Sequence, residues 1–374
     1  MLILYYVWEQ ERLGNLCEQA KSRAVITDIK SRGKYDLYGV NGFIGKTNLT
    51  PINNGKKAIL VVVDGSVGKT LILPPNSVFT STLEALYIKE GFLIDFLFNS
   101  LKTEQLLKFS TGSIIKHLYF NEYRGINILV PNLKEQNKIS IIFDNINSLI
   151  TLHQRKLNAL ENLKKTLLEK MFPSENSVFP SIRFKEFTNA WEQERLGEIV
   201  DYFNGSSNEK EQTNEGKFEI VNLNSISISG ELKPSGKFLH NAFETLKKGD
   251  IVMMILSDIA LGNLLGKSAV IPVDNRYVLN QRVALLRKNN SKFNSKFISL
   301  FLNKNQSLLF RKGAGSSQLN LSKKEVINFL IFSTSRNEQD KVSLIFNNIN
   351  SLITLHQRGQ FRRENEKKIR NFVL

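Results

Sequence analysis

The chain has 374 residues, 41% hydrophobic and 23% charged, which is ordinary for a globular protein with room for two domains. Lysine and arginine number 51 against 35 acidic residues, and the resulting net charge of +16 favours a polyanionic partner such as nucleic acid over a merely basic surface. The single cysteine, Cys17, excludes a disulfide framework and a cluster of zinc-binding thiolates, and it fits a reducing cytoplasm.

In the first half, the apolar run Met1–Val7 lacks the basic start and cleavage site of a signal peptide and is too short to span a membrane. We interpret it as a first strand or an irregular start. Ala58–Val63 is typical of a buried strand and is closed by the turn Asp64-Gly65. Leu93–Leu107 has apolar residues at three- and four-residue steps, which predicts a short helix.

A long helix follows, because residues 134–172 contain no glycine or proline before the prolines at 173 and 180. Its apolar residues predict one continuous stripe: Ile139, Ile142, Phe143, Ile146, Leu149, Ile150, Leu157, Leu160, Leu163, Leu167 and Met171. A helix of this length needs a partner helix to cover the stripe, and residues 338–374 supply one. We expect the two to pack antiparallel, with one globular domain at each end.

The second half repeats the first. The block Trp8–Gly14 returns unchanged as Trp191–Gly197, so residue 8 matches residue 191 at a separation of 183. Asn145–Arg155 returns as Asn348–Arg358, from residue 145 to residue 348, a separation of 203 that also relates Gly112-Ser113 to a second Gly-Ser pair. Solenoid units are about 20–50 residues long, so a repeat of this length indicates two similar domains. The diverged sequence between the blocks predicts one scaffold that carries two different binding surfaces.

Within the second half, Ile251–Leu256 and Tyr277–Leu286 predict strands, and Phe297–Phe310 predicts a helix. Gly359 costs about 1 kcal/mol inside the second long helix, whose last turns are therefore expected to fray or to serve another subunit. The predicted segments are a first globular domain at 1–133, a helix at 134–172, a linker at 173–187, a second globular domain at 188–336 and a helix at 337–374. The fold class is α+β, with an internal pseudo-two-fold repeat.

Taken together, these motifs resemble the specificity subunit of type I restriction–modification systems over nearly the whole chain. The matching segments are Pro180–Phe187 followed by Trp191 and Leu196-Gly197, Tyr38–Gly42 with Asp64–Gly68, Leu279–Arg287, Gly315–Asn320 and Ile353–Arg358. The resemblance implies two target recognition domains at opposite ends of an antiparallel helical pair, each reading one half of a split, asymmetric site in double-stranded DNA.

The same resemblance implies that the helices set the gap between the half-sites, which we expect to lie about one turn of B-DNA apart. The helices carry modification subunits, which bind S-adenosylmethionine and methylate adenine, and a restriction subunit adds ATP-driven translocation and cleavage. This chain is expected to bind no cofactor itself, so S-adenosylmethionine, ATP and Mg²⁺ belong to the partner subunits.

Candidate DNA contacts are polar or basic residues in turns and near strand ends. Asparagine and glutamine suit adenine, arginine suits guanine, and lysine suits phosphate. An alternative is that they only cap strands or form ion pairs. The candidates are Asn41, Lys46, Ser66, Lys69, Lys116 and His117 in the first half, and Asn224, Ser257, Asn280, Gln281, Arg282, Ser317 and Gln318 in the second.

The segment Val63–Thr70 resembles a phosphate-binding loop but has valine where the first glycine is required, so we interpret it as a tight turn. His153 and His356 recur at equal places on the helices without the further ligands that a metal site needs. They are interpreted as interfacial or solvent-facing residues. With Arg155 and Arg358 they form a candidate subunit interface.

No catalytic set was found: the sequence lacks the Asn/Asp-Pro-Pro-Tyr/Phe motif of adenine methyltransferases and a convincing cluster of nuclease carboxylates. The prediction is a DNA-binding subunit rather than an enzyme. Two alternatives remain open. One is a stand-alone nuclease or nucleotide hydrolase, and the other is a coiled-coil adaptor that binds DNA without sequence preference.

Overall fold

A computed structural model gives the fold of residues 8–174, 177–208, 210–258, 264–316 and 318–373, with the backbone alone from residue 358 onward. The chain divides into two compact units, Met1–Leu152 and His153–Leu374, and the division falls within a long helix. The predicted strand at Met1–Val7 lies outside the described residues.

The first unit contains nine described strands and the start of the long helix. The strands are β1 (Glu9–Arg12), β2 (Cys17–Lys21), β3 (Tyr35–Gly39), β4 (Gly42–Thr47), β5 (Ala58–Val62), β6 (Thr70–Leu73), β7 (Ser77–Phe79), β8 (Leu83–Ile88) and β9 (Asn127–Val130). The helices are α1 (Leu13–Leu16), α2 (Ile94–Ser100), α3 (Thr103–Leu107), α4 (Phe120–Tyr123) and α5 (Leu133–Lys170). Short 3-10 turns lie at Ile26–Asp28 and Asn53–Gly55.

The second unit, in its described residues, has eleven strands and five further helices. The strands are β10 (Glu192–Arg195), β11 (Val200–Asn204), β12 (Phe218–Val221), β13 (Phe238–Leu239), β14 (Ile251–Met254), β15 (Leu256–Asp258), β16 (Ser268–Val270), β17 (Tyr277–Leu279), β18 (Val283–Lys288), β19 (Gln318–Asn320) and β20 (Leu330–Ser333). The helices are α6 (Leu196–Ile199), α7 (Ser295–Lys304), α8 (Gln306–Arg311), α9 (Lys323–Ile327) and α10 (Arg336–Val373).

Three sheets have the same strand order in the two units, although the inserts share almost no sequence, and the second unit has one further strand pair, β15-β19. The first has a four-stranded sheet in the order β2-β8-β5-β6, a three-stranded sheet β4-β3-β7 and the pair β1-β9. The second repeats these as β11-β18-β14-β16, β13-β12-β17 and β10-β20. In each three-stranded sheet one pair is parallel, β3 with β7 and β12 with β17. The predicted fold class, repeated mixed α/β domains with long helices, is confirmed.

A strand buried on both faces forms the centre of each unit. Every residue of β5 is 0% exposed. Ile59 and Val61 pack with Phe96 and the other helical residues on one side, whereas Leu60 packs with the cluster on the opposite face. In the second unit β14 is buried in the same way, with its alternate residues in two separate clusters. A strand covered on both faces is a continuous apolar run rather than an alternating one, because neither face meets water.

Several sequence-based boundaries were wrong. The predicted strand Tyr277–Leu286 is two strands in different sheets, because the polar Asn280-Gln281-Arg282 forms a turn between them. The predicted helix Leu93–Leu107 is broken into α2 and α3, since Leu101 and Lys102 have extended backbone. The helix predicted at Phe297–Phe310 is likewise divided into α7 and α8.

Within the second unit, the part of α5 from residue 153 onward runs antiparallel to α10. His153 on α5 meets His356 on α10, and Phe172, just after α5, stacks near Phe346 ten residues earlier on α10. Helix α10 continues through Gly359 to Val373, so this glycine does not end it. None of the helices within the described residues is both long and apolar enough to cross a membrane.

The predicted apolar stripe on α5 was partly wrong. Ile142, Leu149 and Leu163 are 57%, 50% and 46% exposed, whereas the polar His153 and Lys164 are half-buried. The less exposed positions 153, 157, 160, 164 and 167 alternate steps of four and three. That is the 3.5-residue period of a coiled coil, which differs from the 3.6-residue period of an isolated helix.

Candidate nucleic-acid interface

In the first unit, the turn between β5 and β6 forms an exposed rim. Gly65 and Gly68 have φ values of 79° and 84°, which favour glycine, and they let the chain reverse directly after the buried strand. The amides of Val67 and Gly68 donate to the carbonyls of Gly65 and Val62, each at 2.9 Å. Because these amides already donate hydrogen bonds within the turn, they are not available to bind a phosphate. This agrees with the interpretation of the segment as a tight turn.

A second segment, Thr111–His117, lies against this turn. The Gly65 amide donates to the Lys116 carbonyl at 3.2 Å, and the Leu118 amide donates to the Val63 carbonyl at 3.0 Å. His117 Nδ1 lies 2.5 Å from Asp64 Oδ1, and both side chains are less than half exposed. The imidazole ring is therefore held in one orientation by a carboxylate that sequence analysis did not single out.

Most of the candidate residues in the first half share this rim. Lys69 Nζ donates to Asn41 Oδ1 at 3.2 Å, which joins the β3–β4 turn to the β5–β6 turn. Ser66 lies on the β5–β6 turn, and Lys116 and His117 lie on the segment that is hydrogen-bonded to that turn. Ser66 and Lys116 are exposed. Lys46 does not belong to this group, because it lies further along β4 in an ion pair with Asp36 at 2.9 Å.

In the second unit, Asn280, Gln281 and Arg282 occupy the turn between β17 and β18. The Asn280 amide donates to the Val221 carbonyl at 3.1 Å, and its Oδ1 accepts from the Asn208 amide at 3.4 Å. The Ile255 amide donates to the Arg282 carbonyl at 3.4 Å, so this turn lies beside the end of β14. Asn208 is a neighbour that sequence reasoning missed, since it lies in an irregular segment.

The other candidates in the second half differ in accessibility. Asn224 is exposed on the turn after β12, and Gln318 is exposed on β19 opposite Asp258. Ser257 is only 5% exposed, opposite Leu319, so it would need a change in conformation to reach a ligand. Ser317 lies outside the described residues.

The seam between the long helices contains the repeated histidines. His153 Nδ1 and His356 Nδ1 are 3.1 Å apart, and both side chains are half-buried. Among the described residues, no group of three or more histidine, cysteine or acidic side chains is arranged to hold a metal ion. Arg155 is exposed on α5, and the Arg358 side chain lies outside the described residues.

Glu231 connects the insert of the second unit to both long helices. Its carboxylate accepts from Lys296 at 2.9 Å and from Asn350 on α10 at 2.6 Å, and it lies 3.7 Å from Lys164 on α5. Burial lowers the pKa of Lys164, and Glu231 opposes that change by stabilising the charged ammonium. The connection between the insert and the two helices therefore depends on the single carboxylate of Glu231, which two half-buried lysines share.

The model of the type I restriction modification DNA specificity domain matches residues 7–162 and 188–360, once for each repeat. The chain belongs to this family. The matched stretches contain the turns described above in both units and most of the long helices, so the type I specificity family that the sequence predicted is confirmed.

Known members of the type I specificity family resemble this chain over nearly its whole length. The MjaVIII specificity subunit of a type I restriction enzyme from Methanocaldococcus jannaschii is 25% identical over 98% of this chain and 92% of its own. The crystal structure of the S subunit from M. genitalium has a TM-score of 0.70 at 17% identity, covering 96% of this chain and 94% of that chain. A chain from a structure on complex assembly and conformational transition of the type I R-M system has a TM-score of 0.53 at 17% identity, covering 98% and 96%. The two solved structures are similar in fold.

Proposed function

We propose that this chain gives a type I restriction–modification complex its choice of DNA sequence and has no catalytic activity of its own. Each unit reads one part of a two-part, asymmetric site, and the long helices set the gap and carry the modification and restriction subunits. S-adenosylmethionine, ATP and Mg²⁺ act on those partner subunits. Because the substrate is cellular DNA, the expected location is the cytoplasm.

One observation supports this proposal above the others. Two units whose main sheets have the same strand order carry unlike side chains at matching places: Thr80 to Thr82 between β7 and β8 against Asn280 to Arg282 between β17 and β18, and Thr111 to His117 against Ala314 to Asn320. A shared scaffold with different polar groups suits two readers of different sequences, because base identity is read by side-chain hydrogen bonds and apolar contacts. The net charge of +16 supplies attraction to phosphates.

The test is an exchange of one reading surface. Residues 17–118 are replaced by the matching segment of a relative, the chimaera is assembled with modification subunits, and methylated sites are mapped by sequencing. We expect only one half of the methylated site to change. Exchange of residues 200–321 should change only the other half, which makes the two chimaeras controls for each other. A change in both halves from either exchange contradicts the proposal.

The alternatives give different results in simple assays. Cleavage of DNA or hydrolysis of ATP by the purified chain alone would contradict the proposal and favour an enzyme. Equal affinity of the assembled complex for target and random duplexes would favour an adaptor without sequence preference.

A further inference from the structure

The two units contain one hairpin of the same geometry. In the first, the amides of Thr111 and His117 donate to each other's carbonyls at 2.9 and 2.8 Å. In the second, Ala314 and Asn320 exchange the same two bonds at 3.0 and 2.9 Å. Residue 111 matches residue 314 and residue 117 matches residue 320, the separation of 203 that relates the identical helix blocks. The hairpin therefore belongs to the shared scaffold and not to the diverged inserts.

Glycine closes both hairpins. Gly112 has φ +99° and Gly315 has φ +138°. A Cβ added to Gly112 would lie 2.1 Å from the Ile115 carbonyl oxygen, and one added to Gly315 would lie 1.9 Å from that of Gln318. A side chain at either position would clash with backbone, so the shape of the hairpin depends on glycine.

The tips of the two hairpins differ in chemistry. The first carries Ser113-Ile114-Ile115-Lys116, and the second carries Ser316-Ser317-Gln318-Leu319. Ile114 is 95% exposed and Ile115 is 60% exposed. Apolar side chains gain favourable free energy when they are buried, and these two adjacent isoleucines are left in contact with water. This points to a surface that covers them in the working complex.

Charge indicates what that surface is. Exposed Lys116 follows the isoleucines directly, and Lys69 lies on the turn that is hydrogen-bonded to the hairpin. An apolar tip between cations suits the major groove of DNA, where phosphates flank the base edges and the C5-methyl of thymine is the apolar group. A purely apolar protein partner would not match the lysines.

Resting on the function proposed above, we propose that Ile114 reads a thymine methyl group in the half-site of the first unit, with Lys116 and Lys69 on the neighbouring phosphates. At the matching positions the sequence of the second unit has Ser317 and Gln318 in place of the isoleucines. The same element thus selects by apolar contact in one half-site and by polar side chains in the other.

The experiment compares thymine with uracil, which lacks the methyl group. Methylome sequencing of the wild-type complex first defines the half-site that changes on exchange of residues 17–118. Affinity is then measured for duplexes in which each thymine of that half-site is replaced in turn by deoxyuridine. For the wild-type complex, one replacement is expected to weaken binding about four-fold, the effect of one buried methyl-sized group. Ile114→Ser should weaken binding to the thymine duplex by a similar factor and should be insensitive to that replacement.

Two further variants serve as controls. Ile114→Val remains apolar and should stay sensitive to uracil. Leu129→Ser changes another exposed apolar residue of the same unit, 54% exposed on β9, and should behave as the wild type. Because Ile114 is almost fully exposed, its variants are expected to fold normally.

The outcomes separate this inference from the proposed function. A half-site without thymine, or an Ile114→Ser complex with unchanged preference and unchanged sensitivity to uracil, overturns the role of Ile114 while sequence-specific methylation continues. Loss of assembly with the modification subunits, with DNA preference intact, also overturns it and assigns the tip to a protein contact. A wild-type complex without any sequence preference overturns the proposed function itself.

Discussion

His153 Nδ1 lies 3.1 Å from Nδ1 of His356, its own counterpart in the second repeat. The two residues occupy equivalent positions of the repeat, so this side chain contacts its own copy. One ring nitrogen must donate and the other accept, so at least one imidazole is neutral while this bond exists. The pair occupies a position in line with Leu157 and Leu160, where coiled coils usually hold apolar residues.

We expect replacement of both histidines by leucine to stabilise the helix pair. The double variant removes two half-buried polar rings from the seam and should raise the free energy of unfolding by about 1 kcal/mol. His356→Leu alone should give less, because His153 then loses this ring as a hydrogen-bond partner. Thermal unfolding of the two variants beside the wild type measures the difference. A double variant that is less stable than the single variant would refute this expectation.

The repeated glutamates Glu338 and Glu135 should differ in their contribution to stability. Arg183 donates to both Glu338 oxygens at 2.7 and 2.8 Å, and Glu338 is 1% exposed. Glu135 instead accepts one bond from Trp8 Nε1, at 3.2 Å. Glu338→Gln leaves the largely buried Arg183 without its counter-charge and should cost about 3 kcal/mol. Glu135→Gln should cost less than about 1 kcal/mol. Equal shifts of the urea midpoint for both variants would contradict this account.

Cys17 should be inert to alkylation in the folded chain. Burial raises the pKa of its thiol to about 12 from an ordinary value of 9.0, with smaller opposing effects of Lys89 and Glu18. The thiolate is the reactive form, so iodoacetamide at pH 8 should modify the folded protein far more slowly than the protein in urea. Because the pKa is higher in the folded state, the stabilisation is complete below pH 9 and is lost as the pH rises toward 12. Equal rates of alkylation with and without urea would contradict the buried placement of Cys17.

Two of the three candidate lysines of the first unit, Lys116 and Lys46, should differ in the salt dependence of DNA binding. Each lysine that neutralises a phosphate contributes about one to the slope of log affinity against log salt. Lys116→Ala should therefore reduce the slope by about one. Lys46→Ala should change it less, because Asp36 lies 2.9 Å from the Lys46 ammonium. Titrations of duplex DNA at several salt concentrations measure both slopes, and a larger effect at Lys46 would place that strand in the interface.

The identical blocks made the duplication, the mixed α/β class and the long helices predictable from sequence. The common topology of the inserts was not predictable, because different apolar residues fill the same positions, as Leu60 and Val61 do in β5 and Val252 and Met253 in β14. The prediction of which α5 residues face the partner helix was partly wrong for a related reason. A hydrophobic pattern identifies apolar residues, but only the partner helix decides that His153 is covered and Leu149 is exposed.

Of the interface, the sequence predicted residue types but not their neighbours. Asn41 and Lys69 are far apart along the chain, and only the packing of two turns brings them into contact. Asp64 was recognised as a turn residue, yet its carboxylate orients His117. The repeated Gly-Ser pair was the sequence signal for the shared hairpin, and the structure supplied its geometry.

The burial of β5 and β14 on both faces has an evolutionary consequence. Stability comes from these interior strands, whereas the exposed side chains of the turn that follows β5, such as Ser66 and Lys69, contribute few apolar contacts. Substitutions at such exposed positions should usually change the free energy of unfolding by less than about 0.5 kcal/mol. New target preferences can therefore accumulate through mutation while the protein remains folded, and a lineage can adopt a different DNA target without passing through unstable intermediates.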